Sequence, residues 1–197
     1  MSHNVSVQQL LRQLEQLSIR LSEIVKRDFF PLQQHQLFWK EDLKNWSIAE
    51  CLEHLNLVAA RQHKKIATPL NKAKKIKAVQ KTMHKQHWWT IRKLNKLKLT
   101  DQNNVLSFLD SPSKYHPTLD INSPAHQVVQ TFLEYQDNIL QFIADAKVVQ
   151  INSARISIAF WGLLNIDLGD FLSLLIYHNE RHIVQAQRIH YHEQFPH

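Results

Sequence analysis

The chain has 197 residues, 44% of them hydrophobic, and a formal net charge of +7. That length suits one domain, residues 1–197, with a sizeable core. Two glycines, six scattered prolines and one cysteine exclude a disulfide framework and a many-turned β fold, and they favour long helices.

No run reaches the roughly 18 apolar residues that a membrane-spanning helix needs. Met1 to Arg12 lacks a basic stretch followed by an apolar one, so no signal peptide is expected. The lone thiol, Cys51, fits a reducing compartment, and the expected localisation is cytoplasmic. Cys51 lies among apolar neighbours of a helical pattern and reads as a small buried residue. The charge is unevenly spread. Leu55 to Thr100 holds 13 Lys/Arg and no acid, which leaves 11 of the 24 basic residues against all 17 acidic ones. The rest of the chain is therefore about −6, and the basic character belongs to one segment.

The first predicted helix runs from about Val5 to Phe29. Val7, Leu10, Leu11, Leu14, Leu17, Leu21 and Val25 recur at three- and four-residue steps as one apolar stripe, and Pro31 follows. The second opens on Ser47-Ile48-Ala49-Glu50, a capping box. Ile48, Leu52, Leu55, Ala59 and Ile66 form its stripe, Trp46 is placed to staple onto Cys51 or Leu52, and Pro69 is expected to end or kink it. A weaker helical stretch is expected near Lys72 to Lys98. The third helix starts at Ser123-Pro124, read as N-cap and first helical position. Val128, Phe132, Tyr135, Ile139, Phe142 and Ile143 carry it to about Ala146. Ile151 to Leu164 is apolar without a clear period and reads as a short helix or ordered loop covering the core. The fourth helix begins near Asp167, with Asp170 suited to the positive helix end, and reaches about Tyr191. Four amphipathic helices imply an all-α, four-helix bundle with one long crossover between the second and third.

Of 13 histidines, three stand out. His178 and His182 are four residues apart in the middle of the fourth apolar stripe, between Leu175 and Ile189. Two imidazoles one turn apart on a core face need partners. The same spacing brings both onto one metal ion. Core hydrogen bonding is the alternative. His54 sits at the edge of the second stripe, between Cys51 and Val58, and can point into the same core. Three neutral imidazoles from two helices would leave coordination positions open, as catalytic sites do. His84 and His87 in the basic stretch, and His190, His192 and His197 in the tail, read as surface histidines.

The run Trp46 to Leu55, WSIAECLEHL, resembles the W-S-x-x-E-x-x-x-H-L signature of the DinB/YfiT-like superfamily. Leu168-Gly169-Asp170 through His178-Asn179-Glu180-Arg181-His182-Ile183-Val184-Gln185 resembles that family's last helix, and Ser111 to Pro117 is similar to a loop before its third. The resemblance spans about Leu10 to Ile189. It implies a bundle with one crossover connection and a divalent metal, nickel or zinc foremost, on His54, His178 and His182. It also implies a small-molecule substrate, in some members a low-molecular-weight thiol such as bacillithiol or mycothiol, and a homodimer. The stretch Lys64 to Lys98 is more basic than the family pattern.

Three neutral ligands would leave the cation most of its charge, so a thiol or water there would be strongly acidified. S-transfer and hydrolysis both follow from that. Glu50 is a candidate base beside its capping role. Arg181 could orient an anionic substrate or sit in a salt bridge. Gln185 could fix a ligand or water or make a core hydrogen bond. A non-catalytic metal-holding protein is the alternative. The basic stretch carries a rival class: Lys72, Lys74, Lys75, Lys77, Lys81 and Lys85, then Trp88 and Trp89, then Arg92, Lys93, Lys96 and Lys98. This could be a solvated helix face, a nucleic-acid surface, a membrane surface or an anionic-substrate site. No full nucleic-acid motif accompanies it.

Overall fold

The computed structural model describes residues 3–76, 81–99, 113–158 and 164–196. Lys77, Ser111, Pro112 and His197, all named above, lie outside the described residues.

Four long helices form the bundle: α1 (Val7–Ile24), α3 (Ile48–Ile76), α5 (Ala125–Lys147) and α6 (Leu168–His190). The expected stripes are what they bury. Leu14, Leu21 and Val25 on the first, and Leu52, Leu55 and Ile66 on the second, are almost completely removed from water. Helix α1 packs on α5 and α6, and α3 packs on the same two. The direction of each helix follows from its contacts. Asn56 donates to the Val128 carbonyl at one end of the α3–α5 pair, and Lys74 bridges to Asp145 at the other, so these helices run parallel. Parallel neighbours need a long crossover, and residues 77–124 supply it. Ile66 shares one core cluster with Phe171 and Leu172 while Leu52 shares the other with Ile183, so α3 and α6 run antiparallel.

Local structure departs from expectation in four places. Helix α3 runs through Pro69 to Ile76. Proline costs a helix about 3 kcal/mol, but Leu70 and Ala73 beyond it are buried and Lys74 is paired, so continuation is held by packing. The Lys72–Lys98 stretch is three pieces: the end of α3, a strand β2 (Met83–Gln86) and a short helix α4 (Trp88–Leu97). Strand β2 pairs antiparallel with β1 (His3–Ser6), a use of the N-terminus that the helical stripe concealed. Within 151–164, the described residues form strand β3 (Arg155–Ile158) and pair it with β4 (Leu164–Asp167) as an antiparallel ribbon, where a helix or loop was expected. At α5, the cap is Pro124 and not Ser123, whose hydroxyl bonds Asp120 in the preceding turn.

After α1 the chain makes one π-helical turn, Val25–Phe29. This brings the buried Asp28 carboxylate to accept from Gln187 and Tyr191 at the far end of α6. A short helix, α2 (Gln34–Leu37), leads on to Trp39, against which the tail folds. The tail histidines are consequently not on an exposed tail. His190 packs edge-on to Phe29 and Phe195, His192 lies against Trp39, and both are half-buried. Among the described residues no helix is long and apolar enough to cross a membrane.

The apolar core falls into two clusters, one at each end of the bundle. Between them lies a polar stratum. Ser18 donates to Gln136 across α1 and α5, Arg20 pairs with Glu180 across α1 and α6, and His54 meets His178 across α3 and α6.

Candidate metal centre

His54 reaches the stratum because the capping box holds the first turn of α3. The Glu50 amide donates to Ser47 Oγ (3.2 Å), and the Ser47 amide donates to Glu50 Oε2 (2.7 Å). Two turns on, the imidazole of His54 is 1% exposed and faces α6. There His178 is 4% exposed, and His182, one turn further, keeps partial exposure.

The ring orientations are fixed from behind. His54 Nδ1–H donates to the Tyr115 carbonyl at 2.8 Å, which leaves Nε2 as a lone pair aimed inward. His182 Nδ1–H donates to Gln185 Oε1 at 3.0 Å, with the same result. His54 Nε2 and His178 Nε2 stand 3.3 Å apart, and one ligating atom from each of the three residues lies within 4.8 Å of the others.

Among the described residues no carboxylate joins this group. Burial drives the His54 pKa down to about 4 against the pull of the Tyr115 carbonyl. Burial also drives His178 and His182 well below the ordinary histidine value; their neighbouring imidazoles add to it, and Gln185 partly opposes it at His182. All three are therefore neutral at pH 7, the state in which imidazole ligates a metal.

The donor set fits a divalent cation. Two nitrogens bound tetrahedrally at 2.0–2.1 Å would lie roughly 3.3 Å apart, the His54–His178 spacing. The group could thus hold a metal on three neutral nitrogens, each from a buried or half-buried helix face.

Other residues fall around it unevenly. Glu50 stays in its cap and pairs with Lys40 at 2.7 Å. Arg181 is 7% exposed and turns away from the histidines, donating to the Lys96 carbonyl at the end of α4. Gln185 is bound to His182. Cys51 is buried in the apolar cluster, where burial pushes its thiol pKa up and disfavours the nucleophilic thiolate. Trp46 packs against the apolar cluster that holds Cys51 and Leu52 and also lines the histidine group. Its indole stacks on His182 (5.7 Å, 30°) and lies 4.9 Å from His54, walling the group on one side. The exposed His116 meets the same indole edge-on. Sequence periodicity gave no sign of Trp46 in this position or of the Tyr115 carbonyl, because both belong to segments outside the helices.

A larger surprise is His84. It is completely buried, not at the surface, at the other end of α6. Its Nδ1–H donates to Asn152 Oδ1 (2.7 Å) and its Nε2–H to Asp170 Oδ1 (3.0 Å), with Asp167 at 3.5 Å. With both nitrogens donating, the ring is an imidazolium. The carboxylates and Asn152 hold its pKa above the usual value although burial opposes them. Asp170, expected only to complement the helix end, also accepts from the His87 amide and the Thr90 hydroxyl. His87 itself is exposed and caps α4.

A four-helix bundle with one long crossover connection and a buried three-histidine group between its second and fourth long helices is the architecture described so far. The family model of the DinB superfamily matches residues 6–186, and the chain belongs to that family. No curated protein and no solved structure matches it significantly.

Proposed function

We propose that this protein is a metal-dependent enzyme whose single divalent cation, nickel or zinc, is held by His54, His178 and His182. The observation that carries the reading is the convergence of three neutral imidazoles, two of them locked with Nε2 inward by hydrogen bonds from behind. A cation bound there would supply Lewis acidity undiminished by any anionic ligand, enough to acidify a thiol or a water. The chain's own residues do the rest. Tyr115 and Gln185 hold the His54 and His182 rings in one tautomer. Trp46 shields one flank from water, and the partly exposed His182 marks the side from which a small molecule enters.

S-transfer from a low-molecular-weight thiol and hydrolysis are the two reactions this chemistry favours. Membership of the family supports the first, together with a homodimer in the cytoplasm. The positions that Glu50 and Arg181 take up favour structural over catalytic roles for them, and Gln185 acts through His182.

The test is metal content by mass spectrometry on protein purified without a histidine tag, beside the His54/His178/His182 triple alanine variant. About one metal per chain, lost in the variant, supports the site. No metal in either, even after reconstitution with nickel or zinc, sinks it. Metal present but no turnover of thiol or ester substrates would favour a metal-holding protein over an enzyme.

A further inference from the structure

The basic stretch yields a second surface, on α4. Helix α4 is pinned along one side. Thr90, Leu94 and Leu97 are buried, Asp170 accepts from the His87 amide and Thr90 hydroxyl, and Arg181 donates to the Lys96 carbonyl. The opposite side is left outward. Trp88, Arg92 and Lys96 fall at i, i+4 and i+8, one stripe with about 6 Å of rise per step. Trp89 and Lys93 form the adjoining stripe, the Lys93 ammonium lying 5.5 Å from the Trp89 ring centre. Together these five side chains line an open cleft.

Trp88 is 53% exposed, although an indole is among the side chains that gain most from burial. Its ring lies 5.7 Å from that of His87, which widens the flat surface. No Asp or Glu occurs between Leu55 and Thr100, and among the described residues no carboxylate pairs with Arg92, Lys93 or Lys96. Among the described residues, two acids of the adjoining α6 are already engaged. Asp170 is buried beneath the helix, and Glu180 is paired with Arg20.

We infer that the Trp88–Trp89–Arg92–Lys93–Lys96 face of α4 binds single-stranded nucleic acid, with bases stacked on the indoles and phosphates on the cations. The pairing of an exposed aromatic platform with unneutralised cations is what such a strand recognises. Duplex DNA fits less well, because α4 lies flat against the bundle and offers no protruding helix to a groove. A membrane fits less well too. Leu94 and Leu97 of α4 are already buried and Trp89 and Ile91 are partly so, which leaves Trp88 as the one exposed large apolar side chain of α4 to insert.

The test is fluorescence anisotropy of a labelled oligothymidylate with the full chain, over a range of salt, beside heparin and phosphatidylserine vesicles. Three neutralised phosphates predict a slope of log affinity against log salt near −2, at about 0.7 per phosphate. Trp88→Ala should weaken binding about tenfold, as loss of one stacked base does, while leaving metal content and the thermal transition unchanged. Arg92→Glu with Lys96→Glu should abolish it. Absence of oligonucleotide binding at low salt overturns the inference. So does a Trp88→Ala variant that binds oligonucleotide and heparin as the wild type does, which would mean bulk charge attraction only. Vesicle binding that exceeds oligonucleotide binding would assign the face to a membrane and also overturn it.

Discussion

Helix α6 carries a buried histidine cluster near each end, and the two are built from opposite chemistry. At the C-terminal half, His54, His178 and His182 meet with no carboxylate among the described residues, are neutral, and bring one ligating nitrogen each within 4.8 Å of the others. At the N-terminus, His84 meets Asp170, Asp167 and Asn152, is cationic, and spends both nitrogens as donors. The first cluster is a set of neutral nitrogen ligands for which a cation is a natural partner. The second already contains its cation. The same side chain in the same bundle can thus offer itself to a metal or form one half of an ion pair, according to whether oxygen acceptors accompany it.

The largest effect expected from this contrast is on metal content. His182→Ala should take the protein from about one metal per chain to nearly none, whereas His84→Gln and His87→Ala should leave it at the wild-type level. Equal loss in His84→Gln and His182→Ala, measured by mass spectrometry of the untagged proteins, would erase the distinction between the two clusters.

Next comes pH, where the two ends should respond in opposite directions. The folded pKa of His54 is depressed from 6.5 to about 4. The unfolded chain therefore takes up a proton first, and metal-free protein loses stability as pH falls from 6.5 toward 4, on the order of 3 kcal/mol from His54. His84 is raised. Its contribution is fully present below about 6.5 and is lost as pH rises through its elevated folded value. Chemical denaturation across pH 4–9 should show His54→Gln less sensitive to acid than the wild type. It should show the cost of His84→Gln shrinking as pH rises. A His84→Gln cost that grows with pH would mean the ring is neutral when folded.

Breaking the ion pair from its other side should cost a similar amount. Asp170 is 1% exposed and accepts from His84, the His87 amide and Thr90. Asp170→Ala strands a buried imidazolium and two donors, for a loss of about 3 kcal/mol. The transition midpoint in urea reads it directly. A loss below 1 kcal/mol would show that the cluster adds little to holding α4 and β2 on the bundle.

How legible each cluster was in the sequence follows from the same contrast. His178 and His182 stand on a long periodic stripe, so their placement on a buried face was readable from helical spacing, and the WSIAECLEHL run fixed His54 behind a visible cap. His84 had no such frame. It lies on a four-residue strand whose partner is the N-terminal segment, and its flanking Lys81 and Lys85 look like solvated charge. Only alternation over Met83 to Lys85, outward, inward, outward, hinted at burial, over too few residues to register. Pro69 was ambiguous for a related reason. Local propensity argued for an end or a kink, and continuation past it was decided by Leu70 and Ala73 packing into the core. The apolar run after Ile151 gave no period, since its described strands pair only with each other across a gap in sequence.

The smallest effect tests how tightly the cationic cluster is pressed onto α6. Gly169 occupies the first turn of that helix, where replacing glycine by alanine normally gains about 1 kcal/mol. Here a Cβ would meet Ile151 Cδ1 at 2.9 Å and the His84 ring at 3.1 and 3.2 Å. Ile151 is fully buried and can yield only into packed neighbours, and His84 is tied at both nitrogens, so neither moves without loss. Overpacking of this kind costs about 2 kcal/mol. Gly169→Ala should therefore be destabilising by about 1 kcal/mol net, should be relieved in the His84→Ala background, and should leave metal content unchanged. If alanine instead stabilises the wild type, the ring does not rest on the start of α6, and the clasp is looser than its two hydrogen bonds require.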